Sequence, residues 1–158
     1  MVQDSPLSEI TLRRYEKPYN LGRRELVKKI CLSIGLLQPG DGRDVIVDIL
    51  CVLLEAQKSR KDLSSEEIQQ AAIEARTANH LEIKGIADSN VRRQLKRLRD
   101  MMLIEKDANK YRITEFESLS ELFEKKIEKF FLPQILERIK EYMNELEKDA
   151  TRAEAQAQ

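Results

Sequence analysis

Positively charged side chains are concentrated between Ser89 and Met102, in the stretch SNVRRQLKRLRDMM. At about 100° per residue the apolar residues of this stretch fall within one narrow arc of a helix, and the cations occupy the rest of its circumference. The arc contains Val91, Leu95, Leu98 and Met102, and the cations are Arg92, Arg93, Lys96, Arg97 and Arg99. Such a concentration of charge in a chain of net charge +0 can bind phosphate groups. A solvated helix face is the alternative interpretation.

Two short β-prone segments follow the basic helix. Met102–Lys106 and Lys110–Thr114 contain apolar and β-branched residues, and Asp107–Asn109 separates them. Asn and Asp tolerate the dihedral angles of tight turns, so the pattern predicts a β-hairpin.

The basic helix and the hairpin together resemble the winged-helix branch of the helix-turn-helix proteins, and in particular regulators of the MarR, PadR and TrmB kind. The resemblance covers Asp41 to Glu115. It implies that the basic helix is a recognition helix and the hairpin a wing. Winged-helix sequences usually carry Gly where this chain has Met102, so the exit turn of the helix is expected to differ. The matching residues are Val91, Leu95, Leu98, Leu103, Ile104, Tyr111, Ile113 and Thr114.

Two helices are predicted before the basic helix. Asp41 is placed to cap a helix that runs to about Gln57 and is buried on most of its circumference, because Asp48 is the only charge between Val45 and Leu54. The next helix is predicted to start at Ser64, from a capping box with Glu67 and a hydrophobic staple between Leu63 and Ile68. The connection from Thr77 to Asp88 is predicted to contain a short strand that pairs with the hairpin, formed around Leu81, Ile83 and Ile86.

The N-terminal part is predicted to hold one helix after a flexible lead-in, Met1 to Leu12. Asn20 is placed to cap a helix from Leu21 to Ile34, and Gly35 to stop it. A small basic and aromatic cluster precedes this helix, and it predicts either an arm on a phosphate backbone or, as the favoured alternative, tyrosines packed on the domain with solvated charges. The cluster consists of Arg13, Arg14, Tyr15, Lys17 and Tyr19.

A long apolar stripe follows the hairpin and is divided by Pro133, which either opens a new helix or kinks one long helix. The stripe is longer than a small domain can cover. A homodimer through these C-terminal helices is therefore favoured over a monomer in which a kinked helix folds back on its own domain. Lys126 interrupts the stripe and argues against a long regular zipper. The stripe contains Phe116, Leu119, Phe123, Ile127, Phe130, Leu132, Ile135, Ile139, Tyr142 and Leu146.

Composition and spacing favour a mainly α protein with a small β-hairpin, and the resemblance implies that the hairpin is the wing of a winged helix-turn-helix core with an N-terminal helix and a C-terminal helical extension. The expected parts are an N-terminal arm and helix (1–40), a winged-helix domain (41–115), a C-terminal helical dimerisation region (116–149) and a flexible tail (150–158). Cys31 and Cys51 are expected to be small core residues, and His80 a polar loop residue. No phosphate loop, catalytic dyad or metal spacing is found, so neither enzymatic activity nor a cofactor is expected. The absence of a signal-like amino terminus and of an 18-residue apolar run predicts a soluble cytoplasmic protein.

The charge pattern, together with the resemblance, leads us to expect sequence-specific binding of double-stranded DNA by a homodimeric transcriptional regulator. The alternative is a winged-helix protein-interaction module in a transcription or replication assembly. Residues 81–114 carry a net charge of +4 and residues 115–149 a net charge of −4, so the basic end would face DNA. Arg99, close to the apolar arc, is expected to pair internally with an acidic neighbour. The residues expected at base edges are Asn90, Arg93 and Arg97, those on phosphates are Ser89, Arg92 and Lys96, and those of the wing are Lys106, Asn109, Lys110 and Arg112.

Overall fold

The computed structural model describes residues 3–157. Within these residues the fold is mainly helical, as the sequence predicts, and contains one small three-stranded antiparallel sheet. The elements in chain order are α1 (Arg23–Ser33), α2 (Val45–Lys58), β1 (Leu63–Ser64), α3 (Ser65–Ala78), α4 (Asp88–Asp100), β2 (Ile104–Asp107), β3 (Lys110–Ile113), a 3-10 turn (Thr114–Phe116), α5 (Leu119–Leu122), a π-helical segment (Phe123–Phe131) and α6 (Leu132–Ala157).

The sheet has the order β1-β3-β2, with Leu63 opposite Tyr111 and Ile104 opposite Ile113. The predicted hairpin is confirmed. Its two turn residues, Ala108 and Asn109, both have positive φ, which matches the right-handed twist of the flanking strands.

The prediction of a strand around Leu81, Ile83 and Ile86 is wrong. The edge of β3 that does not face β2 pairs instead with β1, and Ser64 of β1 also caps α3. Residues 81–87 contain no strand, and the side chain of Ile83 is half exposed. The predicted capping box at Ser64 is confirmed, since its hydroxyl accepts from the backbone N–H of Glu67 at 3.2 Å and the Glu67 carboxylate accepts from the backbone N–H of Ser64 at 3.1 Å.

The other two predicted caps are not used as expected. α1 begins after Gly22 and α2 begins after Asp44, and neither start has a side-chain cap. Asn20 has positive φ, and the Asp41 carboxylate accepts from the backbone N–H of Arg43 at 2.9 Å, so both residues shape turns before the helices. Gly35 does follow α1 with a φ of +79°, as its predicted stopping role requires.

Helix α2 is the centre of the core and contacts α1, α3, α4 and β3. Cys31 is buried and Cys51 is half-buried, and both are free thiols. Burial raises the pKa of the Cys31 thiol to about 12, so this thiol is neutral in the folded protein. The buried apolar residues of α2 are Val45, Ile46, Val47, Ile49, Leu50 and Leu53.

A buried cluster of ion pairs joins α1, α2 and α3. Arg76 places one guanidinium nitrogen 2.6 Å from Asp48 and 2.9 Å from Asp44, and these three residues are buried. Arg24 completes the cluster at 3.0 Å from Asp48 and 3.2 Å from Asp44. Burial raises the pKa of the Asp44 carboxyl, but the hydrogen bonds from Arg76 and Arg24 outweigh burial, so the pKa is lowered overall.

Two residues of the N-terminal basic and aromatic cluster, Arg13 and Tyr15, pack on α1, whereas Arg14 and Lys17 are exposed. The guanidinium of Arg13 donates to the carbonyl of Leu32 at 2.7 Å, at the C-terminal end of α1, where the helix leaves carbonyls unsatisfied. Tyr15 lies under the ammonium of Lys29. Tyr19 is exposed. The lead-in includes Ile10, which packs against the core; Met1 and Val2, and Gln158 of the expected tail, lie outside the described residues.

The last helical stretch runs from Leu119 to Ala157 without a break. Pro133 is the second residue of α6, and the π-helical segment ends two residues before it, at Phe131. The backbone N–H of Leu132 donates to Ile127, five residues earlier, so the missing donor of Pro133 falls where the hydrogen-bond register changes. Leu122 and Ile127 are buried against the domain, whereas α6 contains no buried residue and does not fold back over the domain.

Candidate nucleic-acid interface

Helix α4 is held by its apolar face and by the loop before it. Val91, Leu95 and Leu98 are buried in the core, as predicted. The loop of residues 79–87 is fixed by side chains of α3: Arg76 donates to the carbonyl of Glu82 at 2.6 Å, and Gln69 to the carbonyl of Ile86 at 2.7 Å. The buried face and these loop contacts together fix the orientation of α4, and so of its opposite, outward face.

The outward face of α4 carries cations that hold only weak local partners. Arg92 lies 3.3 Å from Asp88, and Lys96 lies 3.3 Å from Asp100. Exposed pairs at this spacing are worth about 0.3–0.5 kcal/mol each, so a phosphate can replace either carboxylate. Arg93 is exposed as well, and Ser89 is exposed in the first turn.

Asn90 and Arg97, which were expected to face base edges, contact the protein itself. The Asn90 amide donates to the carbonyl of Gly85, and its oxygen accepts from Arg93 at 2.6 Å. Arg97 is half-buried and donates to Gln94 at 2.8 Å and to the carbonyl of Gly35 at 3.2 Å. Both residues therefore connect α4 to neighbouring loops.

The tip of the hairpin exposes Lys106, Asn109 and Lys110, as the wing assignment requires. Arg112 differs from that expectation. It is half-buried and lies 2.7 Å from Glu105, and this hydrogen bond raises the pKa of the guanidinium. Burial raises the pKa of Glu105, but the bonds from Arg112 and from the backbone N–H of Glu115 outweigh it and lower the pKa overall. Arg112 therefore braces the hairpin.

A basic cleft runs between α4 and the hairpin. It is lined by four cations and by the carboxylates of Asp100 and Glu105. Arg99 was expected to pair internally, but it is exposed, and no ion pair involves it within residues 3–157. Lys126 was not predicted here; its interruption of the apolar stripe was the only indication in the sequence that it faces solvent. The four cations are Lys96, Arg99, Lys106 and Lys126.

A second basic cleft flanks α4 on the side of residues 36–43. Its charged lining is mostly positive, with Asp41 as the exception. The outward face of α4 is thus bordered on both sides by cations, which come from α4 itself and from four other parts of the chain. The cations of this second cleft are Arg43, Lys84, Arg93 and Arg97.

Residues 3–157 contain no group of three or more Cys, His, Asp or Glu side chains placed to hold a metal ion. Among the helices described, none has the length and apolar character needed to span a membrane. Comparisons of the chain with protein-family models, with curated proteins and with solved structures gave no match.

Proposed function

We propose that this chain is a winged helix-turn-helix protein that binds double-stranded DNA and regulates transcription. The element order from α2 to β3 supports the fold: helix, strand, two helices and a hairpin, with β3 between β1 and β2. In this arrangement α3 and α4 are the helix-turn-helix pair, and β2 and β3 form the wing.

The exposed cationic face of α4 is the observation that carries the functional proposal. The helix has 13 residues and is about 20 Å long, and the major groove is about 12 Å wide, which admits one α-helix. With Asn90 and Arg97 bound to the protein, base and phosphate contacts fall to Arg92, Arg93 and Lys96. The wing brings Lys106 and Lys110 to the adjacent backbone.

The five cations in these two groups predict a steep dependence of binding on salt. Each phosphate contact contributes about −0.9 to the slope of log K against log salt, so five contacts predict a slope of about −4.5. The carboxylates of Asp88 and Asp100 lie on the same face. Their repulsion of phosphate opposes binding and makes the slope shallower than this value, but binding is still strongest at low salt, because the cations release counterions from the duplex.

The test is fluorescence anisotropy with a labelled random-sequence duplex over a range of salt concentrations. Replacing Arg92, Arg93 and Lys96 together with Ala should weaken binding and reduce the slope by about 2.7. Lys148→Ala, which removes an exposed cation from α6, is the matched control and should change neither quantity. Unchanged circular dichroism would show that the triple variant is folded.

Selection from a random duplex library would then test sequence specificity and recover the operator. If the triple variant binds duplex as the parent does, α4 is not the recognition element. Failure of the parent to bind duplex, together with salt-insensitive binding to an acidic protein, would favour the protein-interaction module instead.

A further inference from the structure

Helix α6 presents an apolar seam that is half-buried at Leu132 and Ile135 and exposed from Ile139 onward. The spacing of the seam alternates between three and four residues, which is the a and d pattern of a coiled coil. Ile139, Tyr142 and Leu146 are 44%, 71% and 70% exposed, and the side chains of Leu136 and Met143 widen the exposed surface. We call the following residues the α6 seam: Leu132, Ile135, Ile139, Tyr142 and Leu146. A continuous apolar surface of this kind marks an interaction site.

We propose that the α6 seam packs in antiparallel orientation against the same seam of a second copy of this chain. Ile139 of each copy then lies opposite Tyr142 of the other, and Ile135 opposite Leu146. The proposal depends on the exposed seam and the charges beside it, and it stands whether or not α4 binds DNA.

The residues that flank the seam are complementary to themselves in this orientation. In an antiparallel pair, each flank of the seam meets the same flank of the other copy. One flank carries Arg138 and Glu145, so Arg138 of each copy meets Glu145 of the other. The second flank carries Leu136 and Met143, which meet each other in the same way. The pairing thus buries two apolar contacts and forms two ion pairs.

Other arrangements lose this complementarity. A shift by one heptad in one direction places Arg138 opposite Arg138 of the second copy, and a shift in the other direction places it opposite Arg152. Like charges in both shifted registers disfavour them. In a parallel pair Arg138 lies beside Met143, and no ion pair forms across the seam.

Local ion pairs do not compete strongly with this arrangement. Arg138 lies 3.2 Å from Glu141, and Glu145 lies 3.4 Å from Lys148, in both cases three residues apart on an exposed helix surface. Pairs of this kind are weak. Arg138 and Glu145 can therefore keep or exchange these partners when a second copy binds.

Sedimentation equilibrium of the full chain tests the association. The parent should be dimeric at tens of micromolar, and Ile139→Asp with Tyr142→Asp should be monomeric with an unchanged helical circular-dichroism spectrum. The control places two Asp residues on the opposite face of α6, at Lys140 and Asn144, and should remain dimeric. A monomeric parent, or a seam variant that is still dimeric, would overturn the proposal.

A charge exchange tests the orientation. Arg138→Glu and Glu145→Arg should each weaken the dimer roughly tenfold, because each creates two pairs of like charge across the seam. The double variant should recover the parent affinity, because the ion pairs re-form with exchanged signs. Recovery cannot come from the two original local pairs, since both are broken in the double variant, and the contact with Glu141 that Glu145→Arg creates is present in the single variant as well. Without recovery the antiparallel register is wrong. No DNA is present in this assay, so its outcome is separate from that of the proposed function.

Discussion

Replacement of Asp48 by Ala should destabilise the protein strongly. The side chain of Asp48 is 2% exposed and accepts from Arg76 at 2.6 Å and from Arg24 at 3.0 Å. Alanine removes the negative charge at the centre of the cluster and leaves a guanidinium that is 5% exposed without its shortest ion pair. Breaking one partner of a buried pair costs about 3–5 kcal/mol, because the remaining charge has lost its compensation.

The structure places the expected loss near the lower end of that range, at about 3 kcal/mol. Arg76 keeps Asp44 at 2.9 Å and the carbonyl of Glu82 at 2.6 Å, so its charge is not left wholly unpaired. Arg24 is 22% exposed and can reach water. A double variant with Leu at both Asp48 and Arg76 should lose less than the sum of its two single variants, since Arg24 and Asp44 remain as a balanced pair.

Urea unfolding followed by circular dichroism, at one protein concentration throughout, measures these free energies. Glu55→Ala is the matched control on the same helix: the Glu55 side chain is 67% exposed and pairs only with Lys58 at the surface. It should change the free energy of unfolding by less than about 0.5 kcal/mol. A loss below about 1 kcal/mol for Asp48→Ala would refute the claim that the cluster charges depend on one another.

Three further predictions concern acid stability and backbone conformation. The lowered pKa of Asp44 contributes stability that is present above its unfolded pKa of about 4 and is lost as the pH falls through the folded value, so Asp44→Asn should flatten the acid side of the stability profile. Gly35 and Gly40 both have a φ of +79°, but a Cβ at Gly35 would lie 2.6 Å from a side-chain carbon of the N-terminal segment, whereas none lies within 4 Å at Gly40. In urea unfolding, Gly40→Ala should therefore cost about 1 kcal/mol and Gly35→Ala clearly more; equal costs would contradict the close contact. Met102 has a φ of +62°, so Met102→Gly should be neutral or stabilising by up to about 1 kcal/mol, whereas Met101→Gly, at negative φ, should destabilise in the same assay.

The features that sequence alone predicted correctly depend on interactions between residues close in the chain. The capping box at Ser64 needs only Glu67 three residues later, and the hairpin needs only the turn after Asp107. The dry face of α4 follows from its helical periodicity, and burial of Val91 and Leu95 confirms it. Met102, noted as a departure from the usual Gly, adopts the positive φ that Gly would supply.

The features that sequence did not predict depend on contacts between distant residues. Arg97 and Arg112 are basic residues, like their exposed neighbours, and the local sequence pattern around them is the same. What separates them is the carbonyl of Gly35, 62 residues from Arg97, and the carboxylate of Glu105 on the strand paired with β3. The third strand of the sheet, β1, was also not predicted. It has only two residues, so its local pattern cannot be distinguished from that of a loop, and its partner β3 is distant in the chain.

The buried cluster connects these observations to the proposed interface. Asp48 stood out in the sequence as the only charge between Val45 and Leu54, and its partners come from α1 and α3. The same Arg76 that neutralises Asp48 also donates to the carbonyl of Glu82, in the loop that leads into α4. The cluster therefore determines how α3 and this loop are held against the core, and so where α4 begins. A protein that places cations on the surface of one helix can thus depend, for their orientation, on opposite charges buried beneath it.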